Sequence, residues 1–267
     1  MTQVKAYTPG LYARATEQDR EAARQDFLTA QRESGMDYFS DGLLEWEELS
    51  APLSKLAEAT VPDAGESHAP LGEAYFRSSE LPRGRWFATL PSPLTLARDA
   101  EIPAQRAGAS LSPQIAWAAD NGCAFIVLQE TQMPGKQDFS ALEEAVEALA
   151  SPLPLVLRLP KGDASDVIPG ALDLPAEAVG VDMISTGIEA LPEPFPKTLL
   201  AGVLDSGSPR PEEPSEVAAR YESLLQRLDE EADLHLAPNG DLRALAPEDA
   251  ARKVRILGDA ARILRGG

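Results

Sequence analysis

The chain has 267 residues, 43% of them hydrophobic, which suits one large α/β domain or two small ones and excludes global disorder. It carries 24 Lys and Arg against 43 Asp and Glu, a formal net charge of −19, which argues against nucleic acid and anionic membranes as partners. Its one cysteine, Cys123, excludes an intramolecular disulfide and a four-thiolate zinc site.

No segment has the pattern of an export signal or a membrane span. The first ten residues contain no apolar core of signal-peptide length. The longest clean apolar run, residues 123–128, is far too short to cross a bilayer. We therefore expect a cytoplasmic protein that has no membrane partner.

Strand and helix patterns alternate along the chain. Thr16 is typical of a helix N-cap, and Pro91 and Pro93 impose a rigid turn after the third strand. A short extra strand is expected at 73–77, after a loop at 61–70. The remaining predicted elements are strands at 4–7, 36–40, 85–90, 123–128, 153–159, 178–184, 198–204 and 234–237, and helices at 16–34, 43–59, 112–121, 140–150, 166–172, 214–228 and 247–264.

Eight strands that alternate with helices at a spacing of roughly 30 residues are typical of a (β/α)8 barrel, or TIM barrel. We expect it to form a single domain over residues 1–267. An open doubly wound sheet is the alternative, and it is weakened because no GxGxxG or P-loop pattern follows a strand. In a barrel the carboxyl ends of the strands meet at one rim, where active sites lie.

Several segments resemble the catalytic barrel of the cobalamin-independent methionine synthase family, whose fold is close to that of uroporphyrinogen decarboxylase. Residues 232–264 resemble the family's last strand, its Pro-Asp-Cys-Gly-Leu turn and the helix that follows, with matches at Pro238, Leu242 and Lys253. GMDYFSDG, ATLPSPLTLA, FIVLQE, VDMIST and LAGVLDSGSPRPEEPSEVAARYESLL resemble other family segments in the same order. The resemblance spans nearly the whole chain and implies the short, single-barrel form.

The resemblance also implies a zinc site that activates a thiol for methylation, but the ligands of that site are absent from this sequence. The family's His, Cys, Glu and Cys fall on Arg158, on Pro160, near Gly187 and on Gly240. Cys123 in a strand, His68 in a loop and His235 near a strand end do not replace them. We therefore expect no zinc and predict no cofactor.

Polar residues at the predicted strand ends form the candidate site. Arg158, Glu130 and Asp205 are the candidates for catalysis. Glu130 and Asp205 are expected either to hold a substrate ammonium group or only to tie the strand ends together. Arg158 is expected either to bind an anionic ligand or to pair with one of those carboxylates in the place of the metal. The candidates for substrate binding are Asp41, Ser92, Gln129, Lys161, Asn239 and Asp241.

Two functions remain open from the sequence. The first is a divergent methionine-synthase-like enzyme that transfers a methyl group to a small thiol or amino acid without zinc. Its partners would be the amino acid, the thiol and a methyl donor. The second is a non-catalytic barrel homologue that binds a small ligand or a partner protein. The missing zinc ligands favour the second, and the retained polar rim favours the first.

Overall fold

The computed structural model describes residues 2–13, 16, 19–59 and 69–266. Across these residues seven strands form one parallel sheet, in the order β1-β7-β6-β5-β4-β3-β2. Parallel neighbours require long crossovers, and helices fill them. The strands are β1 Val4–Ala6, β2 Trp86–Pro91, β3 Cys123–Gln129, β4 Leu155–Arg158, β5 Ala178–Asp182, β6 Thr198–Leu204 and β7 Leu234–Pro238.

The sheet curls around an apolar interior. Tyr7, directly after β1, packs on Phe87 of β2 with ring centroids 4.9 Å apart, although the two strands are the opposite edges of the sheet. Phe125 of β3 stacks on Phe87 at 5.3 Å. The other members of this inner cluster come from β3, β4, β5, β6 and β7, and they are Val127, Val156, Ala178, Leu200 and Ala237. Because helices cover the outer face, both faces of the strands are buried, which explains their nearly continuous apolar sequences.

Residues 36–40, predicted as the second strand, form only one parallel bridge, between Phe39 and Trp86. The backbone N–H of Asp37 also donates to the carbonyl of Ala6 at 3.0 Å, so this segment contacts both edges of the sheet. It does not continue as a strand because the Gln31 side chain binds both the N–H and the carbonyl of Ser40, at 3.0 and 2.9 Å. The α/β class and the parallel sheet are confirmed, whereas the described residues supply seven strands rather than eight.

Helices form the outer layer of the fold. None of those described combines the length and the apolarity that crossing a membrane requires. The helices are α1 Arg20–Glu33, α2 Ala51–Ala59, α3 Glu73–Phe76, α4 Pro93–Asp99, α5 Ala104–Asp120, α6 Asp138–Glu147, α7 Ile168–Asp173, α8 Pro214–Tyr221, α9 Leu224–Arg227 and α10 Pro247–Leu264.

Local structure differs from the prediction where polar side chains redirect the backbone. Residues 73–77 were predicted as a strand, but they contain the helix α3. The Glu73 carboxylate accepts hydrogen bonds from the N–H groups of Ser78 and Ser79, at 3.1 and 2.8 Å, and so turns the chain. The helix predicted at 43–59 begins only at Ala51, and Leu43, where it was predicted to start, has a φ of +52°, outside the helical region.

One turn prediction and two other helix predictions are also corrected. The rigid turn predicted after β2 continues as α4, whose N-cap is Ser92, with its Oγ accepting from the Thr95 N–H at 3.1 Å. Helix α5 starts well before the predicted residue 112 and contains Pro113 in its interior. The helix predicted at 214–228 is divided into α8 and α9. Most of the predicted loop at 61–70, including His68, lies outside the described residues.

Candidate functional site

A cavity of about 260 Å³ lies at the carboxyl ends of β3, β4, β6 and β7. Six of the nine predicted site residues line it, namely Gln129, Glu130, Arg158, Lys161, Asn239 and Asp241. Thr131, Leu159, Pro160, Ser206 and Gly240 complete the wall. Polar groups from several strand ends therefore converge here, as a parallel α/β fold dictates.

Arg158 is the buried cation of this cavity. It ends β4, and only 5% of its side chain is exposed. Its Nη1 donates to the Pro9 carbonyl at 3.2 Å and to Gln129 Oε1 at 2.9 Å, and its Nη2 donates to the Pro238 carbonyl at 3.1 Å. Asp241 Oδ1 lies 3.5 Å from Nη1. The expected pairing of Arg158 with Glu130 or Asp205 is therefore replaced by one with Asp241 and two backbone carbonyls.

Asp241 has one oxygen directed into this network. Its Oδ1 accepts from Gln129 Nε2 at 3.0 Å and faces Arg158. Its Oδ2 accepts no hydrogen bond from the part of the chain that the structure describes, and 27% of the side chain is exposed along the cavity. One oxygen of this carboxylate is thus held by the protein while the other remains available to a ligand.

Glu130, in contrast, is enclosed on all sides. Its Oε1 accepts from Ser92 Oγ, and its Oε2 accepts from Thr95 Oγ1 at 2.9 Å and from Arg98 Nη2 at 2.8 Å. Its side chain has no exposed surface. Burial raises the pKa of this carboxyl, and the hydrogen bond from Ser92 opposes the effect. Glu130 and Ser92 therefore fasten α4 to the end of β3, which is the second of the two roles expected of Glu130, and the carboxylate has no surface at which a ligand could contact it.

Lys161 and Asp205 form an ion pair on the open side of the cavity, with Lys161 Nζ 2.8 Å from Asp205 Oδ1. The side chains are 47% and 41% exposed, so water screens this pair and either partner is free to exchange it. The hydrogen bond from Lys161 lowers the pKa of Asp205. Lys161 lines the cavity and Asp205 lies beside it, which makes Lys161 the accessible cation of the site.

Asn239 has a supporting role. Its Nδ2 donates to Asp182 Oδ1 at 3.0 Å, and its Oδ1 accepts from the Ser206 N–H at 2.9 Å. Asp182 also accepts from the N–H of Gly162 at 3.0 Å, so the loops after β4, β6 and β7 are tied to the end of β5. Both polar atoms of the Asn239 side chain are thus already used.

Asp41 is absent from the wall of the cavity. It follows the 36–40 segment and is 5% exposed, with its Oδ1 accepting from the Leu43 N–H at 3.1 Å. Burial raises the pKa of this carboxyl to about 7, and the Leu43 N–H opposes the effect. Neither Asp41 nor Ser92 is thus placed to contact a ligand in this cavity.

Several residues of the site were not among those predicted. Arg98 and Thr95 hold Glu130, and Gly10 packs against Arg158. Thr95 and Arg98 are three residues apart and so lie on one face of α4. If α4 had been predicted as a helix, this spacing would have indicated that the two residues share a partner. Lys253 is almost completely buried and donates to Glu212 Oε2 at 2.6 Å, which fixes the loop after β6 to α10.

The residues at the family's zinc positions do not fit a zinc ion. Arg158, Pro160 and Gly187 offer no metal-binding donor, and a side chain at Gly240 would begin 2.6 Å from Ser206 Oγ. Within the described part of the chain, no three or more His, Cys, Asp and Glu residues lie close enough together to hold a metal ion. The absence of zinc from the protein stays a prediction.

The remaining candidates for a metal ligand are buried in the sheet. The thiol of Cys123 donates to the Phe125 carbonyl at 3.1 Å. The Nδ1 of His235 lies 3.3 Å from the hydroxyl of Tyr7. Neither side chain lines the cavity.

Comparison with known proteins gives matches among solved structures alone. No protein-family model matches the chain, and no curated protein matches it. A B12-independent methionine synthase from Shewanella sp. W3-18-1, in complex with selenomethionine, superposes with a TM-score of 0.75 at 14% identity, over 98% of this chain and 97% of that one. A protein assigned as a vitamin-B12-independent methionine synthase from Listeria monocytogenes has a TM-score of 0.58 at 13% identity, over the full length of both chains. The chain therefore has the fold of these methionine synthase structures.

Proposed function

We propose that this protein is a methionine-synthase-like barrel protein that binds a small amino acid in the cavity at the strand ends. Lys161 would contact the ligand's carboxylate, and Asp241 would contact its ammonium group. The observation that carries the proposal is that the cavity offers an accessible cation, Lys161, and a carboxylate oxygen, Asp241 Oδ2, that accepts no hydrogen bond from the residues the structure describes. A zwitterion matches that pair of charges.

The fold comparison supports this proposal without specifying the ligand. The structure from Shewanella holds selenomethionine, an amino acid, and its chain and this one match over nearly their whole lengths. In parallel barrels the carboxyl ends of the strands are the usual position of the ligand, and the cavity lies there. Its volume of about 260 Å³ suits a ligand of amino-acid size.

Binding is favoured over catalysis by the state of the charged groups. The three carboxylates closest to the cavity already have cationic partners in the protein: Glu130 has Arg98, Asp205 has Lys161 and Asp241 has Arg158. None of them is left as an unpaired general base. The residues at the zinc positions also supply no ligands for a zinc ion, so the proposal does not include the zinc-dependent thiol chemistry of the methionine synthase family.

Methyl transfer to a small thiol without zinc is the second candidate, and the observation that favours it is the exposure of Lys161. An ammonium group at the cavity wall would lower the pKa of a bound thiol and increase its thiolate fraction. Formation of methionine from homocysteine and a methylated donor, in zinc-depleted buffer and lost in Lys161→Gln, would support this candidate.

The proposed binding is tested with three related ligands. Methionine is compared by isothermal titration calorimetry with the amine that lacks its carboxylate and the acid that lacks its ammonium group. Methionine should bind more tightly than either. At a concentration about 100 times its Kd, it should stabilise the protein by roughly 2.7 kcal/mol. Lys161→Gln should remove the preference over the amine. Equal affinity of all three ligands, or no binding of methionine, homocysteine and other small amino acids, would refute the proposal.

A further inference from the structure

We propose that Gly10 and Arg158 are positioning residues that hold Asp241 with one oxygen turned inward and the other turned toward the ligand. This inference rests on the proposed binding of an amino acid, because Asp241 is the residue assigned to the ammonium group. Neither Gly10 nor Arg158 needs to touch the ligand. Both act on Asp241, from two different parts of the chain.

Arg158 supplies the first half of this arrangement. Its guanidinium is always charged, and it is fixed by acceptors on three separate segments: the Pro9 carbonyl, Gln129 Oε1 and the Pro238 carbonyl. Gln129 holds Asp241 Oδ1 from the same side through its Nε2, at 3.0 Å. The inward oxygen is therefore held by a cation and an amide that are themselves fixed by hydrogen bonds.

Gly180 on β5 makes room for the arginine. A Cβ atom at this position would lie 3.1 Å from both the Cα and the Cγ of Arg158. Such a contact is tighter than ordinary van der Waals packing, so the glycine lets the stem of Arg158 lie flat against the neighbouring strand.

Gly10 supplies the second half. Its φ is +88°, and its N–H donates to Thr89 Oγ1 at 3.3 Å, which sets the loop after β1 over the network. A Cβ at this position would lie 2.0 Å from Asp241 Oδ1, 2.9 Å from Arg158 Nη1 and 3.0 Å from Gln129 Oε1. A residue with a side chain would therefore have to displace the carboxylate. Glycine is required by contact as well as by backbone conformation.

Two substitutions change the surroundings of Asp241 without replacing Asp241 itself. Gly10→Ala pushes on Oδ1, whereas Arg158→Lys removes the planar guanidinium and keeps the charge. Gly84→Ala is the matched control, because Gly84 also has a positive φ, of +74°, but a Cβ there meets nothing within 4 Å. Any effect of backbone strain alone should appear in both glycine variants.

The test measures the ratio of affinities for methionine and for the acid that lacks its ammonium group, by isothermal titration calorimetry. We expect Gly10→Ala and Arg158→Lys to reduce that ratio by about 10- to 100-fold, the same reduction that we expect of Asp241→Asn, with little change in affinity for the acid. Adding Asp241→Asn to either variant should reduce the ratio no further. Gly84→Ala should leave the ratio unchanged.

The inference and the proposed function fail in different ways. If the wild-type protein does not prefer methionine to the acid, the proposed function fails and the inference fails with it. If the wild type prefers methionine and both Gly10→Ala and Arg158→Lys keep the ratio, only the positioning role is overturned. A crystal structure of Gly10→Ala gives a test that needs no ligand, since Asp241 Oδ1 should no longer lie within hydrogen-bonding distance of Gln129 Nε2. If Gly10→Ala does not fold, Arg158→Lys decides the question.

Discussion

Asp41 is expected to destabilise the folded protein at neutral pH through its charge. Its carboxyl is buried, and burial raises its pKa from 3.8 to about 7, against the effect of the Leu43 N–H. The folded state therefore binds this proton more tightly than the unfolded chain does. The free energy of unfolding decreases as the pH rises between these two pKa values. Above the higher pKa, a further rise in pH causes no additional loss from this group.

The size of this effect follows from the two pKa values. Their difference corresponds to roughly 4 kcal/mol of unfolding free energy at pH 8, about 2 kcal/mol at pH 5 and nearly zero below pH 4. Asp41→Asn keeps an oxygen acceptor for the Leu43 N–H and removes the charge. The variant should therefore exceed the wild type in stability by these amounts, with the whole gain present at pH 8.

The assay is urea unfolding of both proteins from pH 4 to pH 8. Asp26→Asn is the matched control, because Asp26 is an exposed carboxylate on α1 and its removal changes the net charge equally. That variant should differ little from the wild type at any pH. An Asp41→Asn variant that is no more stable than the wild type at pH 8, or whose advantage is as large at pH 4, would show that the charge of Asp41 does not destabilise the folded protein.

Three further predictions concern stability and metal content. Arg158→Ala should lower the unfolding free energy by about 3–5 kcal/mol, because Asp241 and two buried carbonyls lose their hydrogen-bond donor and its charge. A loss of about 1 kcal/mol or less, measured by urea unfolding, would contradict the role of Arg158 in connecting these segments. Burial lowers the pKa of His235 from 6.5 to about 4, with Lys5 adding to the effect, so the unfolded chain takes up this proton first. The His235 contribution to stability is then lost as the pH falls through that range, by about 3 kcal/mol in total. In His235→Gln the unfolding free energy should therefore fall less steeply with decreasing pH than it does in the wild type. Elemental analysis of the purified protein should give far less than one zinc per chain, and a value near one would overturn the assignment of Arg158 and Gly240 to the zinc positions.

The outline of the fold was predictable because it depends on local periodicity. Apolar runs such as 123–128 and 198–204 are buried on both faces of a parallel sheet, and they appear in the structure as β3 and β6 within one residue at each end. One error fell where a single side chain overrides the pattern. Residues 36–40 have the composition of a strand, but the Gln31 side chain, nine residues earlier, binds the backbone N–H and carbonyl of Ser40.

Most residues of the rim could be chosen from the sequence itself, because a polar residue that follows an apolar strand must lie at its carboxyl end. Which of these residues are open to a ligand was decided only by the tertiary structure. Glu130 and Asp241 both follow strands, yet Ser92, Thr95 and Arg98 enclose the first completely, whereas the second keeps an oxygen at the cavity. The difference arises from partners that are distant in sequence, since Gln129 and Arg158 meet Asp241 across 112 and 83 positions of the chain. Such pairings depend on how the strands are arranged around the curled sheet, and no local spacing encodes that arrangement.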